Sequence, residues 1–136
     1  MLADGRKMPY YKFEEFKRAC DEDKNSVFPM GDVLKDAEEF FNLRTKTELL
    51  DFISNNGLEN LQFVNTKDWE NNPDKSNSIK VYAYEFRSMF KLGYIAFMYI
   101  PQTKNWIVKS FHLSKNMNPT MMIALQKAGL LTSGER

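Results

Sequence analysis

"GYIAFMYIPQTKNWIVKSFHL", residues 93–113, is the stretch whose reading decides the fold. Two runs rich in β-branched and aromatic residues, "GYIAFMYI" and "WIVKSFHL", flank the turn-forming "PQTKN", the pattern of a β-hairpin. The first run is apolar on both faces, as a central strand requires. The second is mixed and carries Lys109 and the only histidine in the chain, His112. Upstream, "IKVYAYEF" (79–86) puts Tyr82, Tyr84 and Phe86 on one face and Val81, Ala83 and Glu85 on the other, so it reads as a third strand.

Parity along the hairpin sets a geometric condition. Lys109 and His112 lie three apart, so a regular strand points them to opposite faces unless a bulge intervenes. In a regular strand His112 shares its face with Ser110, Val108 and Trp106, while Lys109 goes with Ile107, Phe111 and Leu113. A five-residue loop, "PQTKN", pairs Ile100 with Trp106 and sets Tyr94 opposite His112. A four-residue loop sets Tyr94 opposite Phe111 instead.

Helices precede these strands. "PYYKFEEFKRAC" has Pro9 where a first-turn proline belongs and Phe13, Phe16 and Ala19/Cys20 along one face. "GDVLKDAEEFFNL" places Val33, Ala37, Phe40 and Phe41 at helical spacing, with Asp32 as the expected N-cap. "TKTELLDFISNNG" offers a Thr45–Glu48 capping box, a buried face of Leu49, Leu50, Phe52 and Ile53, and Gly57 as its stop. A short strand is expected over Leu61–Val64, then a polar loop "ENNPDKSNS" without periodicity. "NPTMMIALQKAG" reads as a closing helix, with Met117, Met121 and Met122 filling gaps where it covers the sheet. Residues 1–7 and 131–136 are expected to fray. Helices followed by strands indicate a single α+β domain, residues 1–136, with N-terminal helices, an antiparallel three- to four-stranded sheet and a C-terminal helix.

The 136 residues suffice for a core without staples, and one cysteine, Cys20, allows no intrachain disulfide. That usage suits a reducing cytoplasm. No segment reads as a signal peptide, and the longest apolar run, Tyr94–Ile100, is too short to span a bilayer. The net charge of +1 conceals an asymmetry. Residues 1–74 hold 10 Lys+Arg against 16 Asp+Glu, and residues 75–136 hold 9 against 2. Between Lys75 and Lys127 the only acid is Glu85, among eight bases. Such a split points either to an anionic partner or to a basic sheet packed beside acidic helices.

Most chemistries find no footing. One His and one Cys match no metal-ligand spacing, so neither a metal nor a cofactor is expected. No Gly-rich turn cradles a nucleotide, and no serine sits on a strained elbow. Cys20 falls on the apolar side of its helix and reads as core. What remains is a sheet bearing Tyr, Lys and His.

The order "VLKDAEEFFNL", "DFISNNGLENLQF", "LGYIAFMYI", "IVKSFHLSK", spanning residues 33–115, is similar to the MqsR branch of the RelE-like ribonuclease toxins. In that family helices precede an antiparallel sheet whose last strand ends in Ser-Phe-Lys or a similar tripeptide, matched here by Ser110, Phe111 and His112. The family's tyrosine in the preceding strand falls on Tyr94. Its lysine after a "DFY"-type strand is not matched: that position lies near Val64 or Asn65, with Lys67 the nearest base. A Trp-Gln pair is also missing, since Trp69 stands in another register.

The resemblance implies RNA cleavage by the substrate's own 2′-hydroxyl, without a metal, and a cognate protein antitoxin as partner. Such a reaction needs a base, an acid and cations around the phosphorane-like transition state. His112 suits either proton role and Tyr94 would orient or donate. Lys67, Arg87 and Lys91 are the expected phosphate contacts, and Tyr82, Tyr84 and Trp106 the expected stacking surfaces for unpaired bases. Each has a plain reading too: a hydrogen-bonded structural histidine, tyrosines favoured by strands, tryptophans that pack, lysines that guard strand edges. On that reading the chain is a non-enzymatic interaction protein, of phage or mobile-element type, binding a protein or nucleic acid.

Overall fold

The computed structural model describes residues 4–88 and 90–114, with side chains from Lys12 onward. The order is α1 (Asp4–Glu22), a 3-10 turn (Lys24–Ser26), β1 (Val27–Pro29), α2 (Val33–Phe41), α3 (Lys46–Ser54), β2 (Glu59–Asp68), β3 (Lys80–Ser88), β4 (Lys91–Ile100) and β5 (Asn105–Leu113). The expected closing helix, with Met117, Met121 and Met122, lies outside the described residues.

The fold is α+β, but among the described residues the sheet has five strands and is mixed. Its order is β1-β5-β4-β3-β2. β2 to β5 form an antiparallel meander, and β1 joins β5 in parallel through Val27↔Trp106 and Phe28↔Ile107. Three residues ending in a proline gave no strand signal in the sequence. Such a segment is tolerated only at a sheet edge, where β1 sits. β2 is also longer than the Leu61–Val64 expected, because two irregularities break its alternation, between Glu59 and Gln62 and between Phe63 and Asn65.

Helix ends follow local chemistry. Thr45 Oγ1 accepts the Glu48 N–H at 3.1 Å, while the Glu48 carboxylate accepts the Arg44 N–H at 2.7 Å, a capping box displaced by one residue. Asp32 occupies the N-cap position of α2 but makes no side-chain cap. α2 ends as Asn42 turns left-handed, with its N–H returned to the Glu38 carbonyl. α1 begins at Asp4, ahead of Pro9 and inside the segment expected to fray.

The three helices among the described residues pack on one face of the sheet. Phe13, Phe16 and Cys20 from α1, Val33, Ala37 and Phe41 from α2, and Leu49, Leu50 and Ile53 from α3 meet Tyr84, Phe86, Ile95, Phe97, Val108 and Phe111. Gly93 belongs to this face, and a Cβ there would come within 2.3 Å of the Phe86 ring. Gly93→Ala should therefore cost about 1–3 kcal/mol through overpacking, read by urea unfolding, with Phe86→Leu relieving part of it.

Candidate functional site

A four-residue loop closes the β4–β5 hairpin, because Ile100 pairs with Asn105. Lys104 enables it by adopting φ 60, with its N–H on the Ile100 carbonyl at 2.8 Å. On parity alone this loop would set Tyr94 against Phe111. A bulge corrects the register: Phe97 pairs with Val108, but Ala96 pairs with Ser110, leaving Lys109 as the extra residue. Beyond the bulge Tyr94 faces His112.

The bulge also changes the phase of β5. Trp106 and Val108 before it and Phe111 after it are all buried in the core under the helices. Trp106 and Val108 therefore do not share a face with His112, nor does Phe111 accompany Lys109. Lys109 instead borders the same concavity as Tyr94 and Ser110, on the sheet face away from the helices.

On that face one row crosses four strands, Gln62↔Glu85↔Tyr94↔His112. The Tyr94 and His112 rings stack at 5.2 Å between centroids and 15° between planes. His112 Nδ1 lies 2.7 Å from the Leu113 carbonyl. A carbonyl only accepts, so Nδ1 carries the proton and Nε2 remains for proton exchange. Burial pushes the Tyr94 hydroxyl up from its ordinary value, and the Glu85 carboxylate pushes it further. Tyr94 is thus a donor at neutral pH. Glu85 accepts the Ser114 hydroxyl at 2.5 Å, which ties it to the end of β5.

Glu85 was absent from the residues singled out by sequence, yet a signal existed: it is the lone acid among eight bases between Lys75 and Lys127. Glu85→Gln removes the charge and keeps the shape. The Tyr94 pKa should then fall toward its ordinary value, though burial keeps it raised. Ultraviolet titration of Glu85→Gln beside Tyr94→Phe would show this; an unmoved Tyr94 would mean that the two groups do not interact.

Beside the row lies a concavity of about 170 Å³. Ala83 and Ala96 are buried at its floor, Lys67 and Asn65 border it from β2, and Trp69 from the loop that follows. That loop is organised rather than shapeless. Buried Asn72 donates to the Asn77 carbonyl at 2.7 Å and accepts the Asp74 N–H at 2.9 Å. Asp74 in turn accepts from Ser76 and Asn77, which holds its carboxyl below the usual range.

Other expected site residues go elsewhere. Tyr84 and Trp106 are core rings: Tyr84 is fully buried and stacks on Phe97 at 5.7 Å, and Trp106 lies 5.6 Å from Phe16. Tyr82, half-buried on the same face, stacks on Phe97 at 5.9 Å. None of the three presents a face for a base beside Tyr94. Lys91 points to the helices, donating to the Phe40 carbonyl and lying 5.7 Å from the Phe41 ring. Arg87 is exposed and, two residues on from Glu85, shares its face. Cys20 is buried, its thiol pushed up to about 12 by desolvation with Lys24 acting the other way, so it is no nucleophile at neutral pH.

Among the described residues no three His, Cys, Asp or Glu side chains converge as a metal site, and no helix is long and apolar enough to cross a membrane. No family model, curated protein or solved structure matches this chain.

Proposed function

We propose that this protein is a metal-independent endoribonuclease of the toxin type, cutting RNA through the substrate's 2′-hydroxyl and restrained by a cognate protein antitoxin. The observation that carries the reading is the Tyr94–His112 stack standing in one row with Glu85. A carboxylate, a phenol and an imidazole within two strand spacings, about 10 Å, supply the proton groups that this reaction needs. Support for the reading comes from the order of helices before an antiparallel meander and from the basic C-terminal half, which suits an anionic polymer.

In this mechanism Glu85 takes the proton of the 2′-hydroxyl as O2′ attacks phosphorus. The P–O5′ bond breaks, and O5′ takes a proton from Nε2 of the His112 imidazolium. Tyr94 donates to a non-bridging oxygen, and Lys109 offsets the added negative charge. The products are a 2′,3′-cyclic phosphate and a 5′-hydroxyl. For the antitoxin, β2 lies at the edge of the described sheet and leaves one side open to an added strand.

The test is incubation of the purified protein with mixed-sequence single-stranded RNA in EDTA, beside a DNA oligonucleotide of the same sequence. RNA should yield cyclic-phosphate ends while the DNA stays whole. RNA intact both free and on translating ribosomes would reject the nuclease. Tight binding of a protein or nucleic acid without turnover would instead favour the interaction protein.

A further inference from the structure

The concavity beside Tyr94 is a feature that the proton chemistry leaves unused. Its volume of about 170 Å³ is many times the roughly 10–15 Å³ that one water requires. That leaves room for a planar heteroaromatic ring. Its position is fixed from two sides, by Tyr94 at one end and by the loop carrying Trp69 at the other.

The bordering groups fit a nucleotide. Trp69 is half-buried and offers an indole on which a base can stack. Asn65 and Ser110 carry donors and acceptors for a base edge. Lys109 stands on the β5 side, next to Ser110 and one residue row from Tyr94, where a phosphate would meet the proton groups. The two acids at this site do not cancel it. Asp68 is paired with Lys80 at 2.6 Å, and exposed Glu70 can accept from an exocyclic amine.

We propose that this cavity binds a single unpaired ribonucleotide, its base against Trp69 and its phosphate toward Lys109, and so selects which phosphodiester reaches Tyr94 and His112. The proposal rests on the nuclease reading for its purpose but not for its test. Nucleoside 3′-monophosphates are titrated into ¹⁵N-labelled protein, and the two indole signals, from Trp69 and Trp106, are assigned with Trp69→Phe. The Trp69 signal should shift saturably with the nucleotides, and at least tenfold more weakly with inorganic phosphate or ribose 5-phosphate. Ala96→Leu, which fills the floor, should weaken binding at least tenfold. Lys109→Ala, at an exposed position, should do so without disturbing the fold. If Ala96→Leu does not fold, Asn65→Ala gives the base-side readout.

A Trp69 signal unmoved by all four nucleotides would overturn the proposal, as would folded variants that bind like the parent. RNA cleavage without nucleotide binding overturns this subsite and leaves the nuclease standing. Binding without cleavage supports the subsite and removes the nuclease.

Discussion

His112→Ala is expected to slow RNA cleavage by about 10²–10⁴-fold, the range for loss of a positioned acid or base. The effect should fall on kcat with little change in KM, because the imidazole contributes a proton rather than binding. Stability should change little. His112 is half-buried and anchored by one bond to the Leu113 carbonyl, and its stack on Tyr94 involves no core ring. Imidazole added to the medium should restore part of the rate, which a merely structural histidine would not allow. A variant that cuts at the parental rate would place the chemistry elsewhere.

Phe97→Ala is expected to cost about 3–5 kcal/mol, the range for emptying a buried aromatic site. Total stability of a domain is about 5–15 kcal/mol, so the variant would lose much of its margin. The reason is the ring's position. Phe97 is fully buried on the central strand and stacks on Phe16 at 4.2 Å, with Tyr84 at 5.7 Å, Tyr82 and Trp106 each at 5.9 Å, and Phe13 at 6.3 Å. Five partners drawn from α1, β3 and β5 cannot collapse together into the space. Urea unfolding gives the value; a loss under about 1 kcal/mol would mean that the core repacks freely around it.

The parts of the fold legible in sequence were those with a clean period or an end signal. α3 carried both in Thr45, Glu48 and its Leu–Leu–x–Phe–Ile face, and β3 alternates without interruption. β1 was invisible because three residues show no period. β2 was cut short because each bulge resets the alternation. At the site, the Tyr94–His112 pairing was foreseen, but with a five-residue loop and no bulge. The structure reaches the same pairing from a four-residue loop plus Lys109. The clue lay in the buried positions of β5, Trp106, Val108 and Phe111, whose spacing changes from two to three. The rings expected to stack on bases lie away from Tyr94 for a related reason: Tyr82 and Tyr84 belong to the face that the helices cover, and aromatic residues in strands do not announce which face that is.

The second bulge of β2 and the bulge of β5, on the two strands that flank β3 and β4, sit within one residue of the same level. The extra residue of β2 falls between Phe63 and Asn65, opposite Tyr84 and Ala83, and that of β5 falls opposite the step from Ala96 to Phe97. Because a bulge bends its strand and sharpens the local twist, the pair folds a crease across the sheet at the level of the paired Ala83 and Ala96. The trough beside Tyr94 lies at that crease, with Ala83 and Ala96 in its lining. The side chains on its rim can be exchanged while small Ala83 and Ala96 keep its floor clear, so one scaffold can acquire new preferences for what it holds without rebuilding the place that holds it.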